Sequence, residues 1–223
     1  LSASSSVQDA SQSSNAFGGG QFAVNPQRLA QIKAPAIRQQ AYELFDGLGS
    51  SWNIERMTFK NHGCCGHNFP AIDALSHLLN EHAIDPEQIK KIRVGGYKAT
   101  AEVCHYVHPK TPFEAKFSLT YTVSARIILG QVRERAFLEK ALANPKIHAM
   151  EEKIELSIDS ECAAKFPLHR SAKVEIEMID GTVYHHHQLT RHGDPDEPLT
   201  DQELVDKFLE LAEPRVGLQI AQT

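Results

Sequence analysis

One ammonium, two thiols and two imidazoles fall within eight residues of this chain, in the run Lys60-Asn61-His62-Gly63-Cys64-Cys65-Gly66-His67. Imidazoles change charge near neutral pH and so can move protons. A positioned ammonium steadies negative charge as it develops, most strongly where water is excluded. Taken alone, Lys60 reads as a solvated lysine at a strand end, and His62 and His67 as polar loop residues. The thiols of Cys64 and Cys65 read first as small packing side chains, because cysteine is commonly buried. His62, Cys64, Cys65 and His67 are also acceptable zinc ligands, but a zinc finger pairs ligands two to four residues apart and adds a second pair further on. Adjacent thiols fit that pattern poorly, so a zinc-binding module is kept only as an alternative. A second histidine group, His185-His186-His187 with His192, resembles a metal site at first sight. On a strand, however, His186 points opposite to His185 and His187, which favours a solvated polar run.

The elements that must position these groups are legible in outline. Residues 1–25 are rich in Ser, Gln, Ala and Gly and read as a flexible segment; residues 26–45 read as short helices broken near Pro35. After a turn at Gly47-Leu48-Gly49, residues 54–60 are expected to form a strand. Ile72, Leu75, Leu78 and Leu79 recur on one face and predict a helix over 71–82, with Pro70 at its start. A strand is expected over 89–97, a loop over 98–112, and one helix over 114–129 that is apolar nearly all round and therefore buried between layers. Short helices follow at 133–142 and 145–151. Residues 153–159 and 172–180 alternate as strands, with Val174, Ile176 and Met178 facing one way and Lys173, Glu175 and Glu177 the other. Asp180-Gly181 signals a hairpin into a strand over 182–189. Thr200 and Glu203 form a capping-box pattern that opens a last helix through Ala212. Hairpin-linked strands mixed with helices predict an α+β domain without internal repeats.

Bulk composition narrows the classes. The 223 residues can bury a sizeable core, and the net charge of −5 argues against a general nucleic-acid partner. No apolar run approaches the roughly 20 residues of a membrane helix; the longest, 119–130, is interrupted by Thr120, Thr122, Ser124 and Arg126. Neither nucleic acid nor membrane is expected as a partner. Four cysteines in a chain of this length read as free thiols in a reducing compartment, and no secretory leader pattern is present. The chain begins at Leu1, not Met, as expected of a processed protein or a piece of a longer one.

Three blocks resemble the MmgE/PrpD family, which includes 2-methylcitrate dehydratase, cis-aconitate decarboxylase and iminodisuccinate epimerase. They are Phe59-Lys60 with Cys64-Cys65 and Pro70-Ala71-Ile72-Asp73-Ala74; Glu114-Ala115-Lys116-Phe117-Ser118-Leu119-Thr120-Tyr121, ending in Gly130; and Asp180-Gly181, Gly193-Asp194-Pro195, Pro198-Leu199-Thr200 and Lys207-Phe208. The resemblance covers only the C-terminal half of such proteins. It implies an α+β lid domain over 46–192, a helical return over 193–223, and residues 26–45 as the connection to an all-helical N-terminal half. It further implies a homodimer in the full-length context, a small polycarboxylate substrate, no cofactor, and a cytoplasmic location, or a mitochondrial one in a eukaryote.

By the same analogy Lys60 and Cys65 are candidate catalytic residues, with Cys65 standing where the decarboxylase carries histidine; His62 and His67 join them as imidazoles able to move the proton. His105, Tyr106, Lys116 and Ser118 are the candidate substrate contacts. The implied reaction is dehydration of a 2-methylcitrate-like alcohol, with decarboxylation and epimerisation left open and this chain alone inactive or weak. The rival reading is a non-catalytic module of the same fold that binds a partner. The final helix (Leu204, Phe208, Leu211) and residues 26–45 are expected to expose apolar surface.

Overall fold

The computed structural model describes residues 49, 50 and 52–222. The expected flexible segment 1–25 and helical connection 26–45 lie outside the described residues. Leu1–Glu55 and Arg56–Thr223 are separate compact units, and every numbered element that follows belongs to the second.

In chain order these are α1 (Phe69–Glu81), β1 (Ile89–Gly96), α2 (Lys98–Val103), α3 (Pro112–Lys116), α4 (Leu119–Leu129), α5 (Glu139–Leu142), α6 (Pro145–Glu151), β2 (Ile154–Ile158), α7 (Ser160–Lys165), β3 (Ala172–Met178), β4 (Val183–Gln188), α8 (Asp201–Val216) and α9 (Leu218–Ala221). The strands form one mixed sheet in the order β2-β1-β3-β4. β1 and β2 run parallel, pairing Ile92 with Ile154, while β1–β3 and β3–β4 are antiparallel. This is an α+β fold. No described helix is long and apolar enough to cross a membrane.

Alternation on β3 decides which face is covered. Ala172, Val174, Ile176 and Met178 are buried and meet α1 and α4, joined by Ile92 and Val94 of β1 and by Leu75, Leu78, Leu119 and Val123 of the helices. On the opposite face Arg93 pairs with Glu175 and Glu177 at 2.5 and 2.8 Å, so that face stays wet. α4 is apolar nearly all round because it serves two cores. Leu119 and Val123 pack toward the sheet, whereas Tyr121 and Ala125 pack with Phe69, Ile72, Val132, Phe137 and Ile147 in a second cluster. That second cluster supports the wall of the candidate site.

The expectations fail where local hydrogen bonding outweighs pattern. No strand forms over 54–60: Asn53–Arg56 is a 3-10 turn, and Ile54 and Met57 are largely exposed, so the apparent alternation buries nothing. The loop expected over 98–112 contains α2, and the helix expected over 114–129 is two helices. Thr111 and Glu114 make a complete capping box for α3, and Ser118 restarts the chain by accepting from the Tyr121 backbone N–H at 3.1 Å. A serine hydroxyl offering a cap competes with a continuous helix. α7 was not anticipated, although Asp159 caps it through the N–H groups of Glu161 and Cys162, each at 3.0 Å. The capping box at Thr200 and Glu203 forms as expected, but α8 continues to Val216. No residue of α8 is buried, and Phe208 and Leu211 stand exposed.

Candidate functional site

The segment carrying Lys60 is held by a loop far away in sequence. Phe59 N–H donates to the Gly193 carbonyl at 2.8 Å, and the Thr58 hydroxyl donates to Asp194 at 2.5 Å. Arg191 clamps the same carboxylate through Nε at 2.9 Å and Nη2 at 2.6 Å. Burial pushes the Asp194 carboxyl up, but Arg191 and Thr58 overcome it, and its pKa lies below the ordinary carboxylate value. Gly193 has a φ of +107°, which L side chains rarely adopt.

Downstream, Gly63 N–H donates to Val132 O at 2.7 Å and Cys65 N–H to Lys116 O at 2.9 Å. The reactive run is thus an irregular loop stitched to its surroundings along its length. It borders a cavity of about 730 Å³, lined among others by Lys60, His62, Cys65, Lys116, Arg133 and Lys207.

Among the described residues four cationic side chains border this cavity. Arg133 is committed: it pairs with Glu210 and donates to Asn61 through Nε at 3.1 Å and Nη2 at 2.8 Å. Lys207, on α8, donates to the Lys60 carbonyl, and burial together with Arg133 and Lys60 lowers its pKa. Lys60 and Lys116 make no ion pair among the described residues. Lys60 Nζ donates to the Cys64 carbonyl at 3.2 Å and lies 5.9 Å from the Phe69 ring centre, and Lys116 Nζ lies 5.5 Å from that of Phe137. Both ammonium groups keep hydrogens for an anionic ligand.

His62 lines the same cavity with its tautomer set. Its Nε2 donates to Asp73 Oδ1 at 2.8 Å, which leaves Nδ1 as the basic nitrogen of the neutral ring. Asp73 is buried on α1, and its second oxygen accepts from the His192 backbone N–H at 2.9 Å. The His192 ring donates in turn to Glu203 at 2.7 Å, the residue that closes the α8 capping box. One hydrogen-bonded chain therefore fixes His62, the 190–197 loop and the start of the helix that carries Lys207.

The cysteines divide by environment. Cys64 is buried, and desolvation pushes its thiol well above the ordinary range. Cys65 is half-buried, and its pKa is drawn down to about 6 by the Cys104 thiol donating to its sulfur, with help from the His67 backbone N–H and Lys60. Cys104, as the donor of that pair, is shifted upward. The thiolate fraction sets alkylation rate, so Cys65 is expected to react with iodoacetamide in the folded protein with a rate that rises through about pH 6. Cys64 and Cys104 should stay unmodified over the same interval. Peptide mass mapping across pH 5 to 9 checks this; a midpoint at the ordinary thiol value would show that Cys104 does not donate to it.

The remaining expected residues are dispersed. His67 is not among the residues lining the cavity: its Nδ1 shares a hydrogen bond with the Tyr97 hydroxyl at 2.8 Å, and burial with nearby Arg170 and Arg191 lowers its pKa. His105 is exposed, bonded through Nδ1 to the Glu102 carbonyl at 2.8 Å and stacked on Tyr106, and neither ring lines the cavity. Ser118 is fully buried as the cap of α4, where its hydroxyl is occupied by the helix. The zinc set does not assemble. Among the described residues the ligand-type groups close enough to share an ion are His108, His148 and Glu151, not His62, Cys64, Cys65 and His67. In the other histidine run, His186 stacks on His77 while His187 lies beside Cys162, on opposite faces as expected.

Arg133 and Asp73 were missed as site residues. No local pattern marks Arg133, whereas an aspartate inside an apolar helix face is a readable anomaly. A family model described as MmgE/PrpD C-terminal domain matches residues 62–223. No curated protein matches the chain.

Proposed function

Because the chain belongs to the MmgE/PrpD family, as its C-terminal domain, we propose that it is the lid part of a cofactor-independent lyase that removes water from a 2-methylcitrate-like polycarboxylate. The observation that carries this reading is the cavity that Lys60, Lys116, Lys207 and His62 line together, with the His62 tautomer set by Asp73. Dehydration breaks a C–H bond beside a carboxylate and a C–O bond on the neighbouring carbon, forms C=C, and releases the hydroxyl with a proton as water. Negative charge builds on the carboxylate during C–H cleavage, and Lys60 is the ammonium placed to meet it. His62 Nδ1 is the nitrogen available for the proton. Lys116 and Lys207 hold the remaining carboxylates. The helical N-terminal half of the enzyme supplies the other wall and the remaining catalytic groups, and the working unit is a homodimer in the cytoplasm, or in the mitochondrion of a eukaryote.

The test is an assay of the protein isolated from its source, with 2-methylcitrate, citrate and cis-aconitate offered separately. Absorbance of the new C=C bond from 2-methylcitrate is the expected result. Carbon dioxide from cis-aconitate without dehydration would replace the reading by a decarboxylase, and inertness toward all three acids would leave the non-catalytic module.

A further inference from the structure

Three ligand-type side chains that do not border the cavity converge on one point. His148 and Glu151 stand three residues apart on α6 and so share a helix face; His108 approaches from the loop between α2 and α3. Their donor atoms lie within 4.8 Å of one another. Glu151 Oε2 is 3.0 Å from His148 Nδ1 and 3.5 Å from His108 Nδ1. Tetrahedral zinc, with bonds of about 2.0–2.1 Å, sets neighbouring donors about 3.3 Å apart. The two spacings bracket that value.

The outer hydrogen bonds argue further. His148 Nε2 lies 2.7 Å from the Leu142 carbonyl, which can only accept, so Nε2 carries a hydrogen. His108 Nε2 lies 2.8 Å from a Glu152 carboxylate oxygen and carries one for the same reason. In the neutral rings both Nδ1 lone pairs then face the same Glu151 oxygen. Lone pairs opposed at that distance need a positive charge between them. Histidines bound to metal commonly donate their other ring N–H to a carbonyl or a carboxylate, and here one does each.

Glu151 is oriented from behind, its Oε1 accepting from the Thr120 hydroxyl at 3.2 Å. Its side chain is 0% exposed, yet no lysine or arginine pairs with it among the described residues. The histidines are 39% and 31% exposed, which leaves an ion a path in. His108 also holds a left-handed φ of +48°, alone in this among the described non-glycine residues. Such backbone is costly for a residue other than glycine and tends to mark functional positions.

We propose that His108, His148 and Glu151 bind one zinc ion, with water in the fourth position. Two imidazoles and one carboxylate suit zinc better than calcium or magnesium, which take all-oxygen shells. The ion clasps the 104–111 loop to α6. Pro112 and Lys116 of α3, which follows that loop directly, line the cavity, so the clasp braces that wall.

Calorimetric titration of the chelator-treated chain with zinc chloride tests this, with cobalt(II) absorption as a second readout. One ion per chain, micromolar or tighter affinity, and the visible bands of tetrahedral cobalt are expected. His108→Ala and His148→Ala should each weaken binding at least 10-fold, in line with how strongly metal sites depend on their shells. His108 sits on a partly exposed loop, so His108→Ala keeps the fold, which circular dichroism verifies. His186→Ala should leave the titration unchanged. Absence of stoichiometric binding would mean that protons hold the cluster together and would overturn the proposal. So would binding that survives both ligand substitutions or disappears in Cys64→Ser instead.

Discussion

Gly193→Ala is expected to destabilise the domain by about 3–5 kcal/mol, the largest loss predicted for adding one methyl group at a described glycine. The Cβ atom would sit 2.1 Å from the Phe59 carbonyl oxygen, far inside contact distance, on backbone at a φ of +107°. The obstruction is main chain, and that main chain is pinned: Phe59 N–H bonds to Gly193 O, and Thr58 is held by Asp194. Relief requires moving Phe59 and therefore Lys60. A domain of this size loses roughly 2–4 °C per kcal/mol, so melting should fall by about 6–20 °C. Gly181→Ala is the control, since its φ of +88° carries the backbone cost but its Cβ meets nothing within 4 Å. A loss at Gly193 no larger than at Gly181 would show that the Phe59 carbonyl moves aside freely.

Under the proposed reaction, Lys60→Met is expected to leave stability nearly unchanged and to lower turnover about 10²–10³-fold, the usual consequence of losing one preorganised charge-stabilising group. Lys60 is exposed, and the described hydrogen bond of its side chain is the one to the Cys64 carbonyl, so little folding energy rides on the ammonium. The effect should fall on kcat more than on KM, because the charge it meets grows only toward the transition state. An independent readout does not need the substrate at all. Lys60 is among the groups that lower the Cys65 pKa, so the variant should shift the alkylation midpoint of Cys65 upward. Full turnover with an unmoved midpoint would remove Lys60 from the site; full turnover with a shifted midpoint would place it near Cys65 but away from the reacting carbon.

Particular residues show how far the sequence reaches. The spacing of Ile72, Leu75 and Leu78 and the alternation through Val174, Ile176 and Met178 are signals repeated over several residues, and α1 and β3 form where expected. Single-residue signals failed. Ser118 inside an apolar run reads as tolerated, yet its hydroxyl ends one helix and starts another. Ile54 and Met57 mimic a strand but have no partner strand among the described residues. The site was partly legible. Lys60, His62, Cys65 and Lys116 line one cavity, while His67, His105 and Tyr106 do not.

What the sequence by itself determined is the fold class, the identity of the reactive run and the family, because these rest on periodicity and on blocks of adjacent residues. Only the tertiary structure decided which groups meet. Asp73 reaches His62 across 11 positions and the His192 backbone across 119, and Thr58 reaches Asp194 across 136. Lys207 joins Lys60 across 147. The tautomer of His62, the acidity of Cys65 and the meeting of His108 with Glu151 are all set by such contacts. Periodicity reports which face of an element is apolar; burial and hydrogen bonding between distant elements depend on how those faces pack.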